Sequence, residues 1–161
     1  MIEVVPFISE HGDGVVDVIL PIQRAEFEIP ITLEDRPDLR DVSGFYQRRA
    51  GNFWVALAGG EVVGTIALLD IGERRGALRK MFVAAEHRGA ARGVAAKLLE
   101  TLLHWCRERG IDGIFLGTTA KYLAAHRFYE KNGFVEIEVG ELPAWFPIMA
   151  VGTKFYRRSI P

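Results

Sequence analysis

Residues 86–110 read EHRGAARGVAAKLLETLLHWCRERG, and their reading decides the fold. The stretch is a long amphipathic helix from about Ala91 to Arg109, stopped by Gly110. Two Arg–Gly steps, Arg88–Gly89 and Arg92–Gly93, stand directly before it. Glycine weakens a helix start, and arginine has the wrong sign for the positive end of the dipole. A helix N-terminus also leaves its first backbone N–H groups unpaired, and small residues ahead of it let an anion come close. Gly89, Ala90, Ala91, Gly93, Ala95 and Ala96 supply that space. With a pyrophosphate between the dipole and the arginines, the arrangement becomes favourable. The competing reading is a helix that packs closely on a sheet through small residues, with its arginines in solvent. The segment alone leaves both open.

Upstream of this helix, "GALRKMFVA" (76–84) predicts a strand, and "FWVALAGGEVVGTIALLDIG" (53–72) a hairpin around Gly59–Gly60. "IEVVPF" (2–7) is a short opening strand. "GVVDVILPIQRAEF" (14–27) has apolar residues at helical spacing, with Asp13 as a candidate N-cap and Pro21 delaying or kinking the helix. "ITLEDRPDL" (31–39) reads as a loop and "LRDVSGFYQRRAG" (39–51) as a shorter helix. Downstream, "GIFLGTT" (113–119) is an apolar strand covered on both faces, "AKYLAAHRFYEKN" (120–132) a helix closed by Gly133, and "FVEIEV" (134–139) a strand. "LPAWFP" (142–147) is a loop, and "MAVGTKFYRRS" (149–159) a last strand. Hairpins around one strand–helix–strand crossover predict an α/β (α+β) domain spanning 1–161, with a mixed, mostly antiparallel central sheet flanked by helices.

A chain of 161 residues suffices for one core, and 49% hydrophobic with 25% charged residues is ordinary for a globular domain. A formal net charge of -1 gives no global field for nucleic acid. The lone Cys106 excludes an internal disulfide and a cysteine-based metal cluster, and no zinc motif occurs, so no metal is expected. Without a signal peptide or a membrane-length apolar run, no membrane partner is expected and cytoplasmic residence is the default. P-loop and dinucleotide-binding glycine patterns are absent. Charge is uneven. Residues 73–92 carry six basic residues against two acidic, a net of +4, whereas residues 26–41 carry six acidic against two basic, a net of -4 and read as a solvated face.

Three blocks together resemble the GNAT family of N-acetyltransferases. "RGAARG" is similar to the family's [Q/R]-x-x-G-x-[G/A] cofactor motif, with Arg88 first, Gly93 last, and Ala91 in place of the middle glycine. "FWVALAGGEVVGTIAL" with "LRKMFV" is similar to its hairpin and the strand before the motif, and "AAHRFYEKNGF" to its A-x-x-x-[L/F]-Y-E-K-x-G-F block. The resemblance implies splayed sheet strands and acetyl-coenzyme A as cosubstrate. It places pyrophosphate on the amides of Arg88, Gly89, Ala90, Ala91, Arg92, Gly93 and Val94, and pantetheine beside Met81, Phe82 and Val83. It also implies direct attack of an amine on the thioester, with a backbone N–H of strand 81–83 stabilising the oxyanion and Tyr129 as general acid.

Two departures leave roles open. Many family members carry a glutamate base on the strand that here reads Leu78-Arg79-Lys80; either a water chain or Glu26 or Glu28 would serve, while Arg79 and Lys80 could hold an anionic group of the substrate or lie at a solvated strand edge. Tyr122 stands where the family often has asparagine, so Thr118 or Thr119 could supply the hydroxyl. His126 reads as a structural histidine before a proton shuttle. The acceptor, a small molecule or a peptide amine, would lie among Phe27, Tyr46, Phe53, Trp54, Trp145 and Phe146, or these aromatics pack as a lid. The expected assembly is a monomer or homodimer. The alternative to an enzyme is a non-catalytic acyl-coenzyme A sensor, supported by the missing carboxylate and Ala91; an RNA-binding role for the arginine loop lacks a stacking motif.

Overall fold

The computed structural model describes residues 1–28, 30–89, 92–120, 123–147 and 154–161, with the side chains of Glu26 and Phe27 outside that set. Its elements are β1 (Ile2–Pro6), α1 (Gly12–Phe27), α2 (Pro37–Arg40), α3 (Val42–Tyr46), β2 (Asn52–Ala58), β3 (Glu61–Gly72), β4 (Arg75–Val83), α4 (Val94–Arg109), β5 (Gly113–Thr118), α5 (Leu123–Lys131), β6 (Val135–Ile137) and β7 (Lys154–Ser159). The strands form one sheet in the order β1-β2-β3-β4-β5-β7-β6. Among the described residues only the β4–β5 pair is parallel, because α4 carries the chain back across the sheet between them. The expected mixed, mostly antiparallel sheet is therefore present.

Alternation along the strands splits the apolar residues between two faces. On β2, Trp54 and Ala56 face α4, with Leu98, Leu99 and Leu102, whereas Phe53 and Val55 face α1 and α3, with Ile19 and Tyr46. Each such fully buried aliphatic or aromatic side chain contributes about 1.5–3 kcal/mol of burial. The hairpin between β2 and β3 turns on Gly59 and Gly60, both at positive φ.

Several boundaries differ from the sequence reading. Helix α1 begins at Gly12, so Asp13 lies in its first turn rather than capping it. Pro21 is inside the helix on its exposed side, where water can meet the carbonyl that the ring leaves unpaired. The segment read as a loop contains α2, which Pro37 opens at the first helical position. Helix α4 starts at Val94 because Gly93 stands at φ +68°. The last strand begins at Lys154; the residues assigned to it at 149–153 lie outside the described set.

Strand β4 decides what the sheet can do. Ala67 of β3 faces Arg79, and Thr65 faces Phe82, so Lys80 and Met81 together oppose Ile66 in a β-bulge. Lys80 holds φ +55° there. β4 pairs with β5 only over Arg75–Ala77, although both strands continue well beyond. They splay from that point on.

Candidate active site

The bulge and the splay begin within a few residues of each other, and they set the chemistry of β4. An unbulged strand would point Arg79 and Lys80 to opposite faces. Here Leu78 and Met81 pack with the α4-side core, while Phe82 packs with the α1-side core. Arg79 and Lys80 therefore share the face covered by α2 and α3. The Arg79 guanidinium lies 5.7 Å from the ring centroid of Phe45 and 5.8 Å from that of Tyr46. The Lys80 ammonium is 3.3 Å from Asp38 Oδ2, with both side chains buried. Tyr46 Oη donates to the same oxygen at 2.5 Å. Lys80 is thus no solvated edge residue, and Asp38, counted in the solvated acidic segment, is 5% exposed. Burial raises the Asp38 carboxyl, but Lys80, the Tyr46 hydroxyl and Arg79 outweigh it and hold the group below its usual range. Burial depresses the Lys80 ammonium, with Asp38 partly offsetting it. Burial and the neighbouring carboxylate drive the Tyr46 phenol far above its ordinary value.

On the other side of the splay, Tyr129 belongs to the core cluster against which Met81 and Val83 pack. Its ring lies 5.5 Å from Phe134 and 5.8 Å from Tyr156, centroid to centroid. Its hydroxyl bonds to no described residue, yet no sealed polar side-chain atom among the described residues lacks a partner. The residue is 8% exposed, so that remaining surface includes the oxygen. Burial lifts the phenol from 10.0 to about 12. It is a protonated donor with nothing among the described residues to receive its proton. The neighbouring Tyr156 differs, because its hydroxyl donates to Glu130 at 2.7 Å. His126 is buried and its Nε2 donates to the Thr119 carbonyl at 2.7 Å, which makes it the structural histidine expected. Thr118 ends β5, half-buried. Tyr122 lies outside the described residues.

Of the arginine–glycine turn, Arg88, Gly89, Arg92 and Gly93 are among the described residues. Gly89 and Gly93 sit at φ +108° and +68°, and a Cβ at either would meet nothing within 4 Å. Backbone conformation therefore demands these glycines, and the space beside them is open. The amides of Arg92 and Gly93 point back to the Gly89 carbonyl at 3.1 and 3.3 Å, so two donors assigned to an anion are turned inward. The next amides, Val94, Ala95 and Ala96, have no partner among the described residues. Arg88 Nε donates to the Val83 carbonyl at 2.8 Å, tying the turn to the end of β4, while Arg92 is exposed. Ala90 and Ala91 lie outside the described residues.

The acceptor-side assignments need correction. Phe53 is 0% exposed between Phe7 and Tyr46, and Trp54 is 2% exposed with its ring edge on Trp105. Strand β2 is third from β5 and covered on both faces, so these two are core rather than pocket wall. Phe146 packs on Phe115, and Trp145 is 44% exposed. Phe27 ends α1, with its side chain outside the described set. Glu28 caps α1 in an exposed left-handed position. Asp38 is the residue that the sequence did not single out: nothing in "RPDLR" distinguishes a buried aspartate from a solvated one.

The model of the acetyltransferase (GNAT) family matches residues 17–134. A GNAT-family acetyltransferase from Staphylococcus aureus Mu50 is 37% identical over the whole of both chains, with a TM-score of 0.92. The PaiA N-acetyltransferase of Thermoplasma acidophilum, solved with coenzyme A, shares the fold at a TM-score of 0.74, with 16% identity over 99% of each chain. The N-acetylaspartate synthetase of Xenopus tropicalis is 37% identical over 108 residues, which is 66% of this chain but only 39% of that protein's length.

Proposed function

The chain belongs to the GNAT family of acetyltransferases, and from that membership we propose that it moves the acetyl group of acetyl-coenzyme A onto the amine of a small molecule or peptide. The observation that carries this reading is the splay of β4 from β5 beside a buried tyrosine whose hydroxyl has no partner among the described residues. The cofactor supplies an acyl group already activated as a thioester. The chain's residues fit it. Met81, Phe82 and Val83 offer strand backbone that β5 does not pair, and the open space at Gly89 and Gly93 adjoins the amides of Val94, Ala95 and Ala96, which have no partner among the described residues. Those amides lie at the positive end of α4, where an anion is favoured, and the exposed Arg92 adds charge. A backbone N–H on the open edge of β4 stabilises negative charge on an acyl oxygen. Tyr129 keeps its proton at neutral pH and gives it up from Oη. Thr118, at the end of β5, adds a hydroxyl, and Arg79 borders the acceptor side.

The test is calorimetric titration with acetyl-coenzyme A, followed by thiol release over a panel of amino acids, polyamines and short peptides. Micromolar binding with turnover of at least one amine is the expected result. Binding without turnover of any amine turns the reading towards an acyl-coenzyme A sensor. Absence of binding overturns both.

A further inference from the structure

The buried group of Asp38, Tyr46 and Lys80 has no part in the transfer chemistry above, and it is held too closely to be incidental. Lys80 occupies a left-handed conformation that a residue with a Cβ adopts at some cost. Its ammonium is then buried rather than released to water, and it pairs with Asp38 at 3.3 Å. Asp38 is in turn fixed by the Tyr46 hydroxyl, and Thr65 Oγ1 donates to the Lys80 carbonyl at 2.6 Å. Four elements thus converge on the extra residue of β4: α2 through Asp38, α3 through Tyr46, β3 through Thr65, and β4 itself. The three residues after Ala77 lead from the last β4–β5 pair directly into the bulge.

We propose that Asp38, Tyr46 and Lys80 are a positioning lock: they hold the bulge of β4, and so fix the direction of those backbone N–H groups within residues 81–83 that face the open edge. A side-chain lock suits this task because β5 no longer pairs with β4 here and the bulge interrupts the ladder to β3, so hydrogen bonding between strands alone leaves the peptide planes at 80–82 weakly determined. Its three members act through the backbone and touch no substrate. The inference rests on the acyl-transfer reading for its catalytic consequence, but not for its structural one.

The experiment compares wild type with the charge-neutral double variant Asp38→Asn/Lys80→Met, which removes the pair without stranding a buried charge. Amide hydrogen exchange over residues 78–83 should quicken at least tenfold relative to α4. In thiol-release assays kcat should fall at least tenfold, with the acetyl-coenzyme A Kd within threefold. Exchange within twofold of wild type overturns the lock whatever the rate does, and quickened exchange with an unchanged kcat overturns its role in the reaction. Tyr46→Phe leaves the pair in place and serves if the double variant does not fold; it should shift both readouts in the same direction by about threefold, and no shift in either overturns the proposal. A wild-type protein that binds no acetyl-coenzyme A refutes the acyl-transfer reading instead, and hydrogen exchange still decides the lock.

Discussion

Replacing Tyr129 with phenylalanine separates chemistry from folding more cleanly than any other change in this protein. The substitution deletes one oxygen and keeps the ring, which packs on Phe134 and Tyr156. No hydrogen bond to a described residue is lost, because the hydroxyl makes none. The stability change should therefore stay within about 1 kcal/mol in either direction, since the usual cost of such a deletion comes from the partner left unsatisfied. For a domain of this size that is a shift in Tm of roughly 2–4 °C at most. A positioned general acid contributes about 10²–10⁴ in rate, or about 2.7–5.4 kcal/mol of barrier. The rate should thus collapse while the fold stays put.

The assay is thiol release with a disulfide reagent at saturating acetyl-coenzyme A and amine. The protein adds no background to it, because Cys106 is buried. In wild type the pH profile should show no loss of kcat with a midpoint near 10, because burial pushes the Tyr129 phenol up to about 12. A kcat for Tyr129→Phe within threefold of wild type refutes the general-acid assignment. So does an alkaline limb near pH 10 that persists in the variant, since another group must then be titrating.

Gly93→Ala should destabilise the fold by about 1 kcal/mol through the left-handed conformation alone, with no clash; the same change should raise the Kd for acetyl-coenzyme A in calorimetry by disturbing the start of α4. Acid unfolding should report Asp38, because its folded carboxyl lies below the ordinary 3.8. Below that value the unfolded chain binds the proton more readily, so the contribution of Asp38, full above about pH 4, is lost as pH falls. Denaturant titrations from pH 5 to 2 should give a shallower decline for Asp38→Asn than for wild type. Cys106, with its thiol raised to about 12 by burial, should resist alkylation in the native state and react at the rate of unfolding; mass spectrometry under mild denaturant reads this directly.

The parts of this fold that the sequence made legible are those where one local rule dominates. Gly59–Gly60 between two β-patterned runs, the apolar run of β5 and Gly110 after α4 each act through their own backbone or burial, and each stands where expected. Tyr129 is singled out only by the block around it, since a buried tyrosine alone reads as core. The misreadings share a different cause. Phe53 and Trp54 are aromatic whether they line a pocket or fill a core, and only their place two strands away from β4, inside covered layers, decides it. Lys80 reads as a holder of an anionic group or a solvated edge residue because period-two alternation assumes an unbulged strand. The sequence "LRKMFV" carries no glycine to announce the extra residue. Asp38 lies 42 positions from Lys80, and neither charge signals burial until the fold joins them.

That join bears on the missing carboxylate of β4. In the bulged strand, position 80 faces α2, where Asp38 already stands. A glutamate at 80 would bring two carboxylates to about the separation now held by the ion pair. At an effective dielectric of about 20 that repulsion is roughly 5 kcal/mol, enough to protonate one of them and disable it as a base. A cation at 80 and an acid at 38 are therefore one structural choice made on two distant segments. On the proposed acyl transfer, the proton of the acceptor amine then goes elsewhere than to position 80. Asp38 itself is ill suited to the task, because the pair that keeps it buried also holds its carboxyl low and occupies its oxygen. The departure at β4 follows from how this strand is held in place, and lapsed chemistry is not needed to explain it.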